Sequence, residues 1–362
     1  MYKFNEIQRV NLEVSSLCQA SCPMCARNYH GGLPNPNLIE KNMDLKFYKQ
    51  IFDIDFLTQL TSIYIHGNFG DPILNNDLIP IMKYTVEHNP NIDIHIHTNG
   101  SARNIKWWEE LAKTLPDNHM VFFGIDGLED TNHLYRIGTD FNLIMRNAEA
   151  FIKSGGKARW DFITFKHNEH QIETAKQLAN QLGFKGFHEK QTSRFIGSKE
   201  FQVFDKHGNL SHTLSAPTEQ KISFVDRNTV KNYKDIFKSA TINCEAESDN
   251  SIYIDSLGYL WPCCFLAGVL AQYARTEDLV FDFISNSSQT LLTALEPFGG
   301  LDGLHLEKHS IKEIVDSDVW QTVWDYNFKN KSILMCSRTC GNITNVNFSQ
   351  WRDQFVELNN FN

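Results

Sequence analysis

Three thiols within eight residues carry the first hint of chemistry: Cys18, Cys22 and Cys25, spaced x3 and then x2 in "LEVSSLCQASCPMCAR". They follow directly on an apolar, strand-like run. A cubane iron–sulfur cluster takes one thiolate per iron, so four cysteines close such a site. Three leave one iron with an open position, just as three protein ligands leave a catalytic zinc open to substrate. Zinc is the competing occupant of the loop, but it normally takes a fourth cysteine or a histidine. His30 in "NYHGG" is the nearest such group, and a lone loop histidine is more often solvated.

The remaining thiols are remote. Of eight cysteines none lies between Cys25 and Cys244, and then Cys244, Cys263, Cys264, Cys336 and Cys340 follow. A disulfide framework would not normally leave so long a gap. Clustered thiols in a chain without an export signal point to a reducing compartment and to metal chemistry. Two separate metal sites, one near each end, account for the pattern. For the second group a four-thiolate zinc and an iron–sulfur cluster both remain open, because spacing alone does not distinguish them.

Composition bounds the rest. The chain has 362 residues, 41% of them hydrophobic, enough for one large core with an appendage or for two domains. A formal charge of −9 argues against a general nucleic-acid or acidic-membrane binder. "MYKFNEIQRVNLEV" has no apolar signal region, and "YLWPCCFLAGVLAQYA" is too short and interrupted for a membrane span. The expectation is a cytoplasmic protein with no membrane partner.

The elements that must position these residues alternate between strand and helix. "QRVNLEV", "TSIYIHG", "IDIHIHTNG", "HMVFFGIDG", "RWDFITF" and "FKGFHEK" read as six strands. Between them "DLKFYKQIFDI", with Asp44 as N-cap, and "DLIPIMKYTVEH" read as helices. "NIKWWEELAKTL" places Ile105, Trp108, Leu111 and Ala112 on one face. "FNLIMRNAEAFIKSGG" contains a helix that Gly155 can end, and "EHQIETAKQLANQLG" one stopped by Gly183. Such units imply a parallel sheet with ligands at the carboxyl ends of its strands. About six units fall short of a full eightfold barrel. The expected fold is therefore α/β, a six-unit partial barrel open on one side.

"CQASCPMC" after a first strand resembles the cluster loop of the radical S-adenosylmethionine (radical SAM) superfamily, which uses Cx3Cx2C on a partial (β/α)6 barrel. The resemblance implies that Cys18, Cys22 and Cys25 ligate a 4Fe–4S cluster whose open iron chelates SAM. Reductive cleavage then yields a 5′-deoxyadenosyl radical that abstracts a substrate hydrogen. Met24 would offer backbone contacts near the adenine. "HGNFGDP" is similar to the family's Gly-Gly-Glu-Pro segment, with Gly67, Gly70, Asp71 and Pro72 in those places. "TNG", with Asn99 at its centre, matches a common third-strand ending, and "GIDG", with Asp126, resembles Ser-Ile-Asp-Gly on the fourth. "FITFKHNE" resembles a fifth-strand end with Lys166 and Asn168 as polar contacts, and Arg194 in "TSRF" is placed to hold a carboxylate of SAM or substrate. The resemblance runs from residue 9 to about 195. Asp71 stands for the usual glutamate, Gly124 for a serine and Met24 for a commonly aromatic residue.

Beyond it, Cys244-x13-Gly258-x4-Cys263 encloses "SIYIDSLGYLW", which reads as a hairpin turning at "DSLG". With "CSRTC" this looks like a small α+β Twitch domain, a relative of the SPASM domain. That resemblance implies an auxiliary 4Fe–4S cluster on Cys244, Cys263, Cys336 and Cys340, with Cys264 structural. Trp320 and Trp324, four apart in "SIKEIVDSDVWQTVWDY", are expected in the core.

The domain reading is residues 1–196 as the barrel, 197–243 as a bridging segment and 244–362 as the auxiliary cluster domain. The expected activity is hydrogen abstraction from a C–H bond of a small-molecule or peptide substrate, with net oxidation assisted by the auxiliary cluster. A reduced flavodoxin- or ferredoxin-type protein would supply the electron. The alternative is a non-catalytic metal-binding scaffold or partner-binding protein with a structural four-cysteine zinc site.

Overall fold

Alternation sets the strands. In β1 (Arg9–Leu12) Val10 and Leu12 are fully buried, while Arg9 and Asn11 face the opposite side of the sheet. β2 (Ser62–Ile65) follows, and in β3 (Asp93–Thr98) Ile94, Ile96 and Thr98 are buried between half-buried Asp93, His95 and His97. β4 (His119–Gly124), β5 (Ala158–Ile163) and β6 (Gly186–Lys190) complete the six expected strands. Each pairs in parallel with the next. Parallel pairing demands crossovers, and helices supply them. The computed structural model describes residues 1–192, 194–195, 198–219, 240–271, 281–330 and 332–342. Much of the expected bridging segment (residues 220–239) and residues 343–362 lie outside these.

Capping explains where the helices begin. Asp44 accepts a hydrogen bond from the Phe47 amide at 2.7 Å and starts α1 (Leu45–Ile51). The expected single helix is nonetheless two. Asp53 accepts from the Phe56 amide at 2.8 Å and opens α2 (Ile54–Gln59), so an aspartate inside the apolar pattern restarts the helix. α3 (Leu78–His88) and α4 (Ile105–Thr114) come next. On α4 Trp108, Leu111 and Ala112 are buried, but Ile105, expected with them, is 47% exposed because it sits in the first turn, at the helix entrance. α5 (Asn132–Tyr135) is short, and α6 (Phe141–Lys153) and α7 (Ile172–Leu182) end at Gly155 and Gly183. Gly183 takes φ +86°, the left-handed stop of α7.

β7 (Glu200–Phe204) and β8 (Leu210–Ser215) form a separate antiparallel hairpin, and β9 (Thr241–Ile242) follows. The main sheet then gains two strands beyond the expected six. β10 (Ser251–Ile254) lies parallel to β1, with Arg9 opposite Ser251 and Leu12 opposite Ile254. β11 (Leu260–Trp261) folds back antiparallel to β10. The turn sits at "DSLG" as expected: Gly258 has φ +96°, and Asp255 Oδ1 accepts from the amides of Leu257 and Tyr259. All four residues of β10 are buried, and its pairing covers the edge that β1 would otherwise expose. The result is an eight-stranded, mostly parallel α/β sheet in the order β11-β10-β1-β2-β3-β4-β5-β6.

A single hydrophobic core joins this sheet to the C-terminal helices. "SIKEIVDSDVWQTVWDY" is two helices, Ile311–Val315 and Asp318–Asn330, the first opened by a Ser310–Glu313 capping box. Trp320 and Trp324 are fully buried with ring centres 5.7 Å apart, core residues as expected. The helix Leu334–Cys340 precedes the short β12 (Gly341–Asn342), which pairs with β9. Among the described residues no helix is long and apolar enough to cross a membrane.

Candidate functional site

Cys18, Cys22 and Cys25 lie on the loop after β1, at the carboxyl end of the parallel strands. The Cys25 amide donates to the Cys22 carbonyl at 2.9 Å, which winds the loop into a tight turn. Burial pushes the Cys18 thiol up to about 12, the Asp71 carboxylate adding to the effect, and burial pushes Cys22 up to about 11. Thiols so placed ionise only when a positive centre arrives, as metal binding provides. Ala20, Met24, Tyr135, Phe165 and Phe195 pack into a small apolar cluster around the loop.

His30 is half-buried and held against aromatic rings of two segments. Its ring lies 4.3 Å from Tyr29 and 4.2 Å from Phe201, and its Nδ1 meets the Gln202 carbonyl at 2.9 Å. It fastens the β7–β8 hairpin to the cysteine loop.

The segment after β2 wraps the same place. Gly70 touches the backbone leading to the cysteines: a Cβ there would lie 1.8 Å from the Ser15 carbonyl oxygen. A Cβ on Gly67 would lie 2.5 Å from the Gly70 carbonyl oxygen and 2.9 Å from Glu13 Oε1. Both glycines thus let chain approach chain. Pro72 opens a buried turn. Asp71 is 4% exposed, and its carboxylate accepts from Thr98 Oγ1 at 2.8 Å, the Asn99 amide at 2.7 Å and the Ile73 amide at 3.2 Å. It ties "TNG" to this loop. Asn99 in turn receives Gln19 Nε2 on its Oδ1 at 2.7 Å and points its Nδ2 at Cys18 Sγ, 3.7 Å away.

On the other side stands an ion pair that the sequence reading half missed. Asp126 is fully buried, with Arg136 Nε 2.5 Å from Oδ2 and the Ile163 amide 2.6 Å from Oδ1. Arg136 Nη1 reaches to 3.9 Å from Cys22 Sγ. Burial alone would lower the Arg136 pKa, but Asp126 outweighs it and holds the guanidinium charged. Gly124 makes room: a Cβ there would lie 2.5 Å from Arg136 Nη2. The glycine in the serine position and the arginine go together. The only sequence signal for Arg136 was a basic residue shortly after "GIDG".

Asn168 is fully buried, donating to the carbonyls of Asp126 and Ile163 at 3.0 and 2.9 Å and accepting from the Phe165 amide at 2.7 Å. It shapes the Asp126 loop. Lys166 is exposed, its Nζ on Glu169 at 2.9 Å and on Thr218. Arg194 donates from Nη1 to the Met24 carbonyl at 2.6 Å, beside the cysteine loop.

The second thiol group also converges. Cys244, Cys263, Cys336 and Cys340 line one cavity together with Ile242, Pro262, Phe265, Leu266, Met335 and Thr339. Burial raises the thiols of Cys244, to about 11, and of Cys263 and Cys336. Cys264 does not line that cavity. Among the described residues no three or more His, Cys, Asp or Glu side chains are gathered as ligands of a single metal ion.

Residues 12–179 match the family model of the Radical SAM superfamily. No curated protein matches the chain. Among solved structures, Streptococcus suis SuiB bound to S-adenosylmethionine aligns with a TM-score of 0.50 and 16% identity, over 77% of this chain and 65% of that one. SuiB bound to the precursor peptide SuiA aligns with a TM-score of 0.52 and 15% identity, over 92% and 71%. Native anSMEcpe with bound AdoMet aligns with a TM-score of 0.50 and 13% identity, over 92% and 89%. At these identities the likeness shows the fold. The chain spans about two thirds, 65%, of SuiB in its SAM-bound structure. The segment carrying the three-cysteine loop is thus the part of the chain that resembles the Radical SAM superfamily model, and it lies on a mostly parallel sheet.

Proposed function

We propose that this chain is a radical SAM enzyme, holding a 4Fe–4S cluster on Cys18, Cys22 and Cys25 with SAM on the open iron. The observation that carries the reading is the convergence of three thiols, the Gly67–Asp71 loop, Asn99 and the buried Asp126–Arg136 pair at one end of the parallel sheet. When bound and reduced, the cluster and SAM supply a 5′-deoxyadenosyl radical that takes a hydrogen atom from a C–H bond. The chain's own residues orient and shield. Arg136 presents a charged guanidinium beside Cys22, suited to a carboxylate. Asp71 fixes the loop through three accepted hydrogen bonds and would receive the SAM ammonium. Met24, Pro72, Asn168 and Arg194 hold the surrounding backbone, with Lys166 at the outer rim.

The same proposal divides the chain into a barrel (1–196), a bridging segment (197–243) and a cysteine-bearing C-terminal unit (244–362). There Cys244, Cys263, Cys336 and Cys340 hold a second 4Fe–4S cluster. Their lining of one cavity supports this. A second cluster could accept the substrate's electron, which suits a net oxidation such as dehydrogenation or cross-linking. The peptide named with SuiB favours a peptide substrate, with a small molecule as the other class. A cytoplasmic flavodoxin- or ferredoxin-type protein would deliver the reducing electron.

The test is anaerobic reconstitution followed by dithionite and SAM. A brown protein that releases 5′-deoxyadenosine is expected; a colourless, inert one carrying zinc would overturn the reading.

A further inference from the structure

Glu13, the first residue past β1, is 2% exposed. A buried carboxylate is costly unless its oxygens are satisfied. Here the donors come from two distant parts of the chain. Oε1 accepts from the amides of Phe69 at 2.9 Å and Gly70 at 3.2 Å, both in the loop after β2. Oε2 accepts from the Tyr253 hydroxyl at 3.1 Å, on β10. Gly67 admits the carboxylate to that loop, since a Cβ there would crowd Oε1 at 2.9 Å. A second tie runs in parallel: Asn68 Nδ2 donates to the Cys264 carbonyl at 2.7 Å, one residue beyond Cys263, which lines the C-terminal cavity.

We infer that Glu13 is a positioning residue that clamps the Gly67–Asp71 loop between β1 and β10, so that the C-terminal cysteine unit completes the SAM site. This rests on the reading of that loop as a SAM contact. A loop whose two amides turn inward to one carboxylate has a single preferred shape. That shape carries Asp71 to Thr98 and Asn99, and Asn99 to Cys18. Without the acceptor the amides must find other partners and the loop is free to refold. SAM then has to order it again on binding, which appears as lost affinity rather than as a slower chemical step. β10 lies in the chain between Cys244 and Cys263, so the C-terminal cysteine unit and the SAM loop meet through Tyr253 and Asn68.

The experiment measures SAM binding and SAM cleavage on the full chain, anaerobically reconstituted, for wild type, Glu13→Ala, Glu13→Gln and Tyr253→Phe. Glu13→Ala should weaken SAM binding about tenfold or more, raising KM for SAM while kcat at saturation and the iron content of the first centre hold. Glu13→Gln keeps a carbonyl oxygen for the two amides and should recover to within a few-fold of wild type. Tyr253→Phe removes only the hydroxyl and should cost about threefold or more, which decides the matter if Glu13→Ala does not fold. Unchanged SAM affinity in Glu13→Ala or Tyr253→Phe, or no recovery in Glu13→Gln, overturns the inference. Failure of the wild type itself to bind SAM overturns the proposed function instead.

Discussion

Alanine at Gly70 tests whether the loop after β2 is built on the cysteine loop. Its Cβ would lie 1.8 Å from the Ser15 carbonyl oxygen, 2.5 Å from the Ser15 carbonyl carbon and 2.7 Å from Ser16 Cα. All three are backbone atoms, so no rotamer change relieves the contact. Nor is that backbone free to retreat: Ser15 bridges to Asn42, and the Ser16 amide donates to the Lys41 carbonyl at 3.0 Å. Ordinary contact needs about 3.5 Å, so the two loops must part by roughly 1.5 Å. The Asp71 amide, now 2.8 Å from the Leu17 carbonyl, then loses its bond. Overpacking costs about 1–3 kcal/mol and the lost bond about 1 kcal/mol, giving about 2–4 kcal/mol together. Because the displaced backbone runs straight into Cys18, SAM affinity and loading of the first cluster should fall together. Chemical denaturation, iron content and 5′-deoxyadenosine release measure the three effects. Gly186→Ala is the control, since its Cβ would meet only the Arg159 side chain, at an ordinary 3.5 Å or more. A Gly70→Ala protein as stable and active as wild type would refute the reasoning.

Gly124→Ser should push the Arg136 guanidinium off Asp126 and Cys22, lowering SAM cleavage about tenfold with iron content retained; unchanged cleavage would show that Arg136 moves aside freely. Replacing Cys18, Cys22 and Cys25 with alanine should abolish 5′-deoxyadenosine formation and halve iron from about eight to about four per chain. Cys336→Ala with Cys340→Ala should also remove about four irons, but leave SAM cleavage in place and stop substrate oxidation; wild type with about four irons and one zinc would contradict it. The last prediction concerns acid stability. Burial pushes Glu13 up to about 7 from an ordinary 4.5, so the unfolded chain ionises first and folded stability present below pH 4.5 is lost as pH rises toward 7. Glu13→Gln removes that loss, and its stability relative to wild type should grow by about 3 kcal/mol across this window; urea titrations giving parallel pH profiles would count against it.

Much of the scaffold was legible in the chain because it depends on near neighbours. Alternation along "IDIHIHT" predicts a strand with one buried face, and Asp44 and Gly183 mark helix ends through bonds spanning a few residues. The x3 and x2 cysteine spacing likewise places three thiols on one turn whatever the rest of the chain does. Local reading failed where a local signal had a rival: Asp53 could continue an apolar pattern or cap a new helix, and it caps.

Tertiary structure alone decided the rest. "SIYIDSLGYLW" announces a hairpin, but nothing in it says that Ser251–Ile254 will cover the edge of β1. Glu13 reads as the next residue of a strand until Tyr253, 240 positions on, donates to it. Gly67 and Gly70 read as places of close backbone approach, and only the fold shows that Glu13 and Ser15 are the protein groups lying against them. Arg136 is an ordinary basic residue until α5 lays it against Asp126 and Cys22. Capping and periodicity are short-range and so are written in consecutive residues. Which distant faces meet is chosen by burial of apolar area and by the need to satisfy every buried polar group, and both are properties of the whole packed chain.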